Sequence, residues 1–150
     1  MEILVGLHNL NRWIIIGLAV LTLARAYRGW LLKGDWSNLD HKAGVFFGVT
    51  IDIQLLTGII LWIFGNWGIK AFEIASNLEG ASRMAAMYFA VDHSFTMLVA
   101  VIITHLGSIM TKKAQHAAGK HKRAAIFYTV AVILILVAVP WTKRPLIPGF

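Results

Sequence analysis

The sequence predicts an all-α integral membrane protein: a four-helix bundle with up-down-up-down topology, formed by one domain of 150 residues. Two observations lead to this fold class. The chain is 58% hydrophobic and only 14% charged, whereas an average soluble domain carries about 25% charged residues. Four segments also reach the roughly 20 mostly apolar residues that a helix needs to cross the hydrocarbon core. They are residues 4–27, 38–64, 84–110 and 124–141.

Composition and motifs exclude several classes of function. The chain has no cysteine, which excludes disulfides, thiolate zinc sites, Cys-ligated iron–sulfur clusters and covalent c-type haem attachment. The net charge of +7 does not indicate nucleic-acid binding, because the basic residues lie between the apolar runs, as membrane topology predicts. The sequence contains no phosphate-binding glycine loop, nucleophile elbow or H-E-x-x-H motif, so nothing indicates hydrolytic chemistry.

The ends of the predicted spans carry their own signals. The first span lacks a basic n-region and a small-residue cleavage site, so we expect it to be retained rather than removed as a signal peptide. Ser37 and Asp40 have the spacing of a capping box at the start of the second span, and Ser82 is placed to cap the third. Pro140 is expected to end the fourth span. Trp141 follows it, where interfacial aromatic residues collect.

The longest connection covers residues 65–83. Its apolar positions Ala71, Phe72, Ala75 and Leu78 recur at helical spacing. The segment is therefore either a short helix on the membrane surface or a packed loop.

Positive charge predicts the orientation of the bundle. Nine basic residues lie in or near the first and third connections, against five on the other side. The positive-inside rule then places the 28–42 and 111–123 loops in the cytoplasm and both termini outside, in a bacterial inner membrane. The nine are Arg25, Arg28, Lys33, Lys42, Lys112, Lys113, Lys120, Lys122 and Arg123, and the five are Arg12, Lys70, Arg83, Lys143 and Arg144.

Polar residues inside the spans are the candidate functional groups, because a charge at that depth costs a few kcal/mol unless it is paired or functional. His8 and Arg12 share one face of the first helix. Asp92 and His93 lie at a similar height on the third helix, the diagonal neighbour of the first. Arg12 and Asp92 are expected to neutralise each other. The pair is either a structural salt bridge, or part of a site in which His8 and His93 ligate a b-type haem and Arg12 lies near a propionate.

The second helix carries Asp52 and Gln54 near its middle. Facing inward, Asp52 is expected to be a protonated structural residue or part of a proton relay. Gly44 and Gly48 precede it with the spacing that favours close helix packing. The predicted buried polar network consists of Arg12, Asp52, Gln54 and Asp92.

Four further histidines lie toward the inner half. His105, inside the third span, needs a partner and is included among the candidate cofactor ligands. A second haem is geometrically possible between His105 and one of the other three, or between His41 and His121. The competing interpretation is that His41, His116 and His121 are solvated loop residues, because they lie among Lys and Arg.

Four stretches together resemble a family of small four-helix bacterial membrane proteins catalogued as cytochrome-b-like. They are "LHNLNRW" (7–13), "DIQLLTGIILW" (52–62), "RMAAMYFAVDHSFTMLVAVIITHLG" (83–107) and "HKRAAIFYTVAVILILVAVPW" (121–141). The likeness extends over nearly the whole chain. It implies that five residues occupy the family's typical polar positions: His8, Arg12, Asp92, His93 and His105. The family often has histidine where this chain has Asp52.

Residues and resemblance together predict a small membrane component of a bacterial respiratory or photosynthetic electron-transport chain. Its expected cofactors are haem b and a quinol or quinone, and its expected partners are lipid and other membrane subunits of an electron-transfer complex. It is not expected to be catalytic alone. The alternative is a cofactor-free accessory subunit that stabilises a larger membrane oxidoreductase. A transporter is less expected, because the sequence shows neither repeats nor broken spans.

Overall fold

The computed structural model describes residues 1–141, which are mostly helical. Four helices are long and apolar enough to cross a membrane, as in a multi-pass membrane protein, and the all-α prediction is confirmed. Lys143 and Arg144, which the orientation argument includes, lie outside the described residues. The helices are α1 (Glu2–Leu31), α2 (Asn38–Phe64), α3 (Ile69–Ser76), α4 (Gly80–Tyr88), α5 (Ser94–Lys112) and α6 (Ala117–Ala138). A π-helical turn, Phe89–His93, joins α4 to α5, and together they form the third long helix, Gly80–Lys112.

Two of the predicted boundaries are wrong. Glu79 is the N-cap of α4, so Ser82 lies inside the helix and does not cap it. Hydropathy places this start too late because residues 80–83 are small or polar yet compatible with a helix. In the same way α6 begins at Ala117 rather than near residue 124. It ends two residues before Pro140, whose ring disfavours helical geometry at the preceding residue; that residue, Val139, is extended.

The longest connection, residues 65–83, adopts the helical alternative. Residues Ile69–Ser76 form α3, with Ala71 and Ala75 buried and Phe72 exposed. Of the two alternatives that the apolar spacing left open, the helix is the one observed, with one buried and one exposed side.

The long helices pack in a cycle. α1 contacts α2 and α6, and α5 contacts the same two helices, so α1 and α5 are diagonal to each other. Neighbouring helices run antiparallel, since contacts join early residues of one helix to late residues of the next. Examples are His8 with Thr57 and Arg25 with Asp40 between α1 and α2, and His93 with Ala138 and Arg123 with Met110 between α5 and α6.

The core between the helices is built mainly from small residues. Alanines at positions 19, 26, 43, 100, 124, 125, 131 and 138 are buried, which lets the backbones approach closely, as in other membrane bundles. Gly107 serves the same purpose, because a Cβ there would lie 2.6 Å from Phe127 Cβ. Phe47, which is fully buried, packs edge-on against Tyr128 at a centroid distance of 5.6 Å.

A polar cluster closes the end of the bundle where α1 meets α2. The predicted capping box is confirmed: the Ser37 amide donates to Asp40 Oδ2 at 2.7 Å, and the Asp40 amide donates to Ser37 Oγ at 3.3 Å. Arg25 Nε donates to Asp40 Oδ1 at 2.8 Å, while its NH2 group donates to Ser37 Oγ at 3.0 Å. One carboxylate thus caps α2 and holds α1 beside it.

Removing this cluster should loosen the bundle in two graded steps. We expect Ser37→Ala to lower the free energy of unfolding by about 1 kcal/mol, the usual cost of an N-cap. Asp40→Asn should lower it by about 2 kcal/mol, because it weakens charge-assisted bonds from a nearly buried carboxylate. Unfolding in mixed SDS and mild detergent, followed by circular dichroism, measures both. The control is Asp35→Asn, since Asp35 is exposed; an equal loss in all three variants would contradict the assignment.

Candidate functional site

A polar layer joins α1 to α2 near the end of the bundle at which α1 begins. Asn11 Nδ2 donates to the Thr50 carbonyl at 2.9 Å and to Gln54 Oε1 at 2.8 Å. Gln54 Nε2 in turn donates to the His8 carbonyl at 3.0 Å. Thr50, Gln54 and Thr57 are spaced i, i+4, i+7 and therefore form one stripe on α2. This stripe faces His8 and Asn11 and fixes the register of the two helices.

The same stripe sets the tautomer of His8. Thr57 Oγ1 lies 2.9 Å from the Ile53 carbonyl and 3.0 Å from the Gln54 carbonyl, and both can only accept. We therefore assign the hydroxyl hydrogen to these carbonyls, which leaves Oγ1 as the acceptor for His8 Nδ1 at 3.0 Å. A neutral imidazole that donates through Nδ1 keeps its lone pair on Nε2. Nε2 of His8 is thus available to a ligand.

His93, on the helix diagonal to α1, has the same arrangement. Its Nδ1 lies 2.9 Å from the carbonyl oxygen of Ala138, which can only accept, so Nδ1 carries the hydrogen and Nε2 carries the lone pair. Tyr88 donates to the same carbonyl at 2.9 Å. Ala138 is the last residue of α6, and the final carbonyls of a helix lack intrahelical donors. The helix end that precedes Pro140 therefore supplies the acceptor that orients His93.

The π-helical turn places His93 at this position. Such a turn inserts one extra residue into the helix and leaves carbonyls without their regular donors. Two side chains bind these carbonyls: Ser94 Oγ donates to Phe89 O at 2.7 Å, and Trp62 Nε1 donates to Ala90 O at 2.9 Å. The bond from Trp62 also joins α2 to the turn.

The two imidazoles lie next to each other. The ring centroids of His8 and His93 are 6.5 Å apart and the rings are inclined at 66°. Phe89 and Tyr88 flank His93 at 5.9 Å and 6.4 Å between centroids. On the His8 side lies Gly58, where a Cβ would be 3.4 Å from the ring. The two histidines thus lie at the same height on diagonal helices, as predicted, and their rings are neighbours.

The predicted ion pair between Arg12 and Asp92 is not formed. The ion pairs within residues 1–141 are Arg25–Asp40 and Asp52–His105. Arg12 is buried and lies 5.5 Å from the Trp13 ring centre, whereas Asp92 is exposed. Successive helical residues are about 100° apart, so a turn that directs His93 toward α6 directs Asp92 to the surface.

The predicted network of four residues is also divided. Asp52 and Gln54 are two residues apart and so about 200° apart around α2. Gln54 joins the layer with Asn11 and His8, while Asp52 accepts a 2.8 Å bond from His105 Nε2 on α5. Both side chains of this second pair are nearly half exposed, 44% for Asp52 and 48% for His105. The expectation that Asp52 faces inward is wrong, and His105 has the partner that its position requires.

The remaining histidines differ in burial. His41 and His116 are exposed, as expected for solvated residues. His121 is only 1% exposed, because α6 begins early enough to carry it inward. Its ring packs on Trp36 at 4.8 Å, and its Nε2 lies 3.2 Å from the Asp35 carbonyl. Within residues 1–141 no three His, Cys, Asp or Glu side chains are grouped to hold a metal ion.

Three groups that form this site are not predicted by the sequence analysis. Thr57 and Asn11 were not singled out, although the i, i+4, i+7 stripe of polar residues on α2 and the i, i+3 spacing of His8 and Asn11 were visible. The Ala138 carbonyl has no side-chain signal, but Pro140 indicates a helix end there. Comparisons of the chain with protein-family models, curated proteins and solved structures gave no match.

Proposed function

We propose that the protein is a small electron-transport component of a bacterial inner membrane, with one b-type haem held between His8 and His93. The observation that carries this proposal is the matched state of the two imidazoles. Each donates its Nδ1 hydrogen to a fixed acceptor, Thr57 Oγ1 or the Ala138 carbonyl, and keeps the Nε2 lone pair for a ligand. Iron- and zinc-ligating histidines are oriented by such bonds from their second nitrogen.

The spacing of the rings supports the same proposal. Two imidazoles that bind one metal ion from opposite sides through Nε2 have ring centres roughly 6 to 6.5 Å apart, given metal–nitrogen bonds of about 2 Å. The centroids of His8 and His93 are 6.5 Å apart. The observed centroid distance therefore matches that of two imidazoles that share one metal ion. When bound, haem would supply one-electron redox chemistry.

The other residues have supporting roles in this proposal. Thr57 and the end of α6 hold the ligand tautomers, and Arg12, one helical turn from His8, supplies positive charge for an acidic haem substituent. Phe89 and Tyr88 give apolar walls beside His93. The positive-inside rule, applied to the basic connections, favours both termini outside and the haem in the outer half of the membrane. Larger membrane subunits are the proposed partners, since helices make up most of residues 1–141.

A visible spectrum tests the proposal. The protein, purified from membranes in mild detergent, should show a Soret band and, after reduction with dithionite, the sharp α-band of a low-spin b-type haem. A folded, helical sample without these bands would contradict the proposal. The protein would then be a cofactor-free accessory subunit, in which the hydrogen-bonded layer at His8 and Asn11 only fixes the register of α1 against α2. That second candidate is favoured by the fact that this layer satisfies its own polar groups.

A further inference from the structure

The Asp52–His105 pair lies in the part of the bundle where a polar surface is most expensive. Asp52 is at the centre of α2, about 18 Å along the axis from the nearer helix end at 1.5 Å per residue. The hydrocarbon core of a bilayer reaches only about 15 Å from its midplane. His105 lies seven residues, or about 10.5 Å of helical rise, before the end of α5 at Lys112. The pair is therefore inside the hydrocarbon region, with Asp52 the deeper of the two residues.

This pair is also open toward the outside of the bundle. Asp52 and His105 are 44% and 48% exposed. The residues one turn away on the same two helices are exposed and apolar: Val49, Leu56, Ile102 and Ile109. No side chain approaches Gly48, one turn before Asp52, where a Cβ would have nothing within 4 Å. The Asp52–His105 pair is thus surrounded by exposed apolar residues on this surface.

Half of the hydrogen-bonding capacity of the pair is unused within residues 1–141. The 2.8 Å bond occupies Asp52 Oδ1 and His105 Nε2, and leaves Asp52 Oδ2 and His105 Nδ1 directed to no described residue. Without water, each unsatisfied polar atom costs a few kcal/mol. A ligand that reaches this depth with its own polar atoms would recover that free energy.

We infer that Asp52 and His105 bind the headgroup of a membrane-dissolved quinone or quinol. A phospholipid headgroup does not reach the pair, because its polar atoms stay at the interface, about 10 Å or more away along the helices. A quinone is uncharged and apolar apart from its ring oxygens, so it can enter the hydrocarbon region. Its ring can lie on the apolar residues around the pair while one oxygen meets His105.

The chemistry of the pair suits both redox forms of this ligand. With Nε2–H donated to Asp52, a neutral His105 offers the Nδ1 lone pair to a quinol hydroxyl. A protonated His105 donates Nδ1–H to a quinone carbonyl, and the Asp52 carboxylate balances the positive charge. The site is five residues, or about 7.5 Å of helical rise, from Thr57, which holds His8. It lies on another face of α2 and binds independently of a haem.

Fluorescence quenching of heptylhydroxyquinoline N-oxide, a quinol analogue, tests this inference in the full-length protein in mild detergent. We expect saturable binding with one site per chain. Asp52→Asn and His105→Leu should each raise Kd at least about tenfold, the effect of losing one well-made hydrogen bond at low dielectric. The control is Tyr27→Phe, which removes another interhelical bond, that of Tyr27 to Thr129 at 2.8 Å between α1 and α6. It should leave Kd within about twofold.

Three results would overturn the inference. They are no saturable binding by the parent protein, an unchanged Kd in both site variants, and an equal loss in Tyr27→Phe. Asp52→Asn preserves side-chain volume and keeps the test valid if His105→Leu does not fold. A visible spectrum of the same samples separates this inference from the proposed function. Binding without haem bands leaves the quinone site standing, whereas haem bands without binding remove only the quinone site.

Discussion

A His93→Ala protein is expected to lose its b-type spectrum, and a His8→Ala protein to lose it equally. Each substitution deletes one of the two imidazoles that would hold the haem, and a haem held by a single imidazole would bind more weakly. We expect haem per chain to fall at least about tenfold, because changes to ligand supports alone commonly cost 10- to 100-fold in affinity. Haem per chain in purified protein, from the pyridine haemochrome spectrum and protein concentration, measures the effect.

Two further variants separate ligation from general damage to the bundle. Thr57→Val keeps both ligands but removes the acceptor of His8 Nδ1, so it should weaken haem binding by about tenfold while the helical circular dichroism stays unchanged. His41→Ala removes an exposed histidine and should leave the spectrum intact. Full retention of the α-band in His93→Ala would assign the iron to other ligands.

The second large effect is expected from Gly29→Ala. A Cβ at position 29 would overlap the ring of His121, which is only 1% exposed and backed by Trp36. Such overpacking should lower the free energy of unfolding by about 3 kcal/mol, since the ring has no room to retreat. Unfolding in mixed SDS and mild detergent, followed by circular dichroism, measures this change.

The same helix provides the matched control. Gly17 is also inside α1, but a Cβ there meets nothing within 4 Å. Gly17→Ala should therefore stabilise the helix by about 0.5–1 kcal/mol through propensity alone. If the overlap with His121 is the cause, Gly29→Ala combined with His121→Ala should recover most of the loss. A Gly29→Ala protein as stable as the parent would show that α1 and α6 can separate at little cost.

The parts of this fold that were predictable are those that depend on one helix at a time. Long apolar runs identify the four long helices, and the Ser37–Asp40 spacing identifies the start of α2. The proximity of His8 and His93 was also accessible, since two diagonal helices running in the same direction bring their N-terminal ends to one level. What these features share is that periodicity and hydropathy contain the necessary information.

The features that were missed depend on the rotation of one helix relative to another. Asp52 is predicted from the sequence to belong to the same buried network as Gln54, yet the two lie about 200° apart around α2. Only the packing of α2 against α5 selects His105 as the partner of Asp52. Asp92 was paired with Arg12 because nothing in the sequence marks the π-helical turn that directs it outward. The basic neighbours of His121 suggest a solvated loop residue. The small residues around it, however, allow α6 to start early and bury the ring.

The hydrogen-bond acceptors of His8 and His93 differ in how many substitutions they tolerate. His93 is held by a backbone carbonyl, which persists whatever small residue occupies position 138, provided that the helix still ends there. His8 is held by a hydroxyl, which only Thr or Ser can supply at position 57. Under random mutagenesis with selection for a filled site, position 138 should therefore drift among small residues while position 57 stays almost invariant. A redesign that copies this site onto another bundle has to transplant one side chain for His8, but a whole helix end for His93.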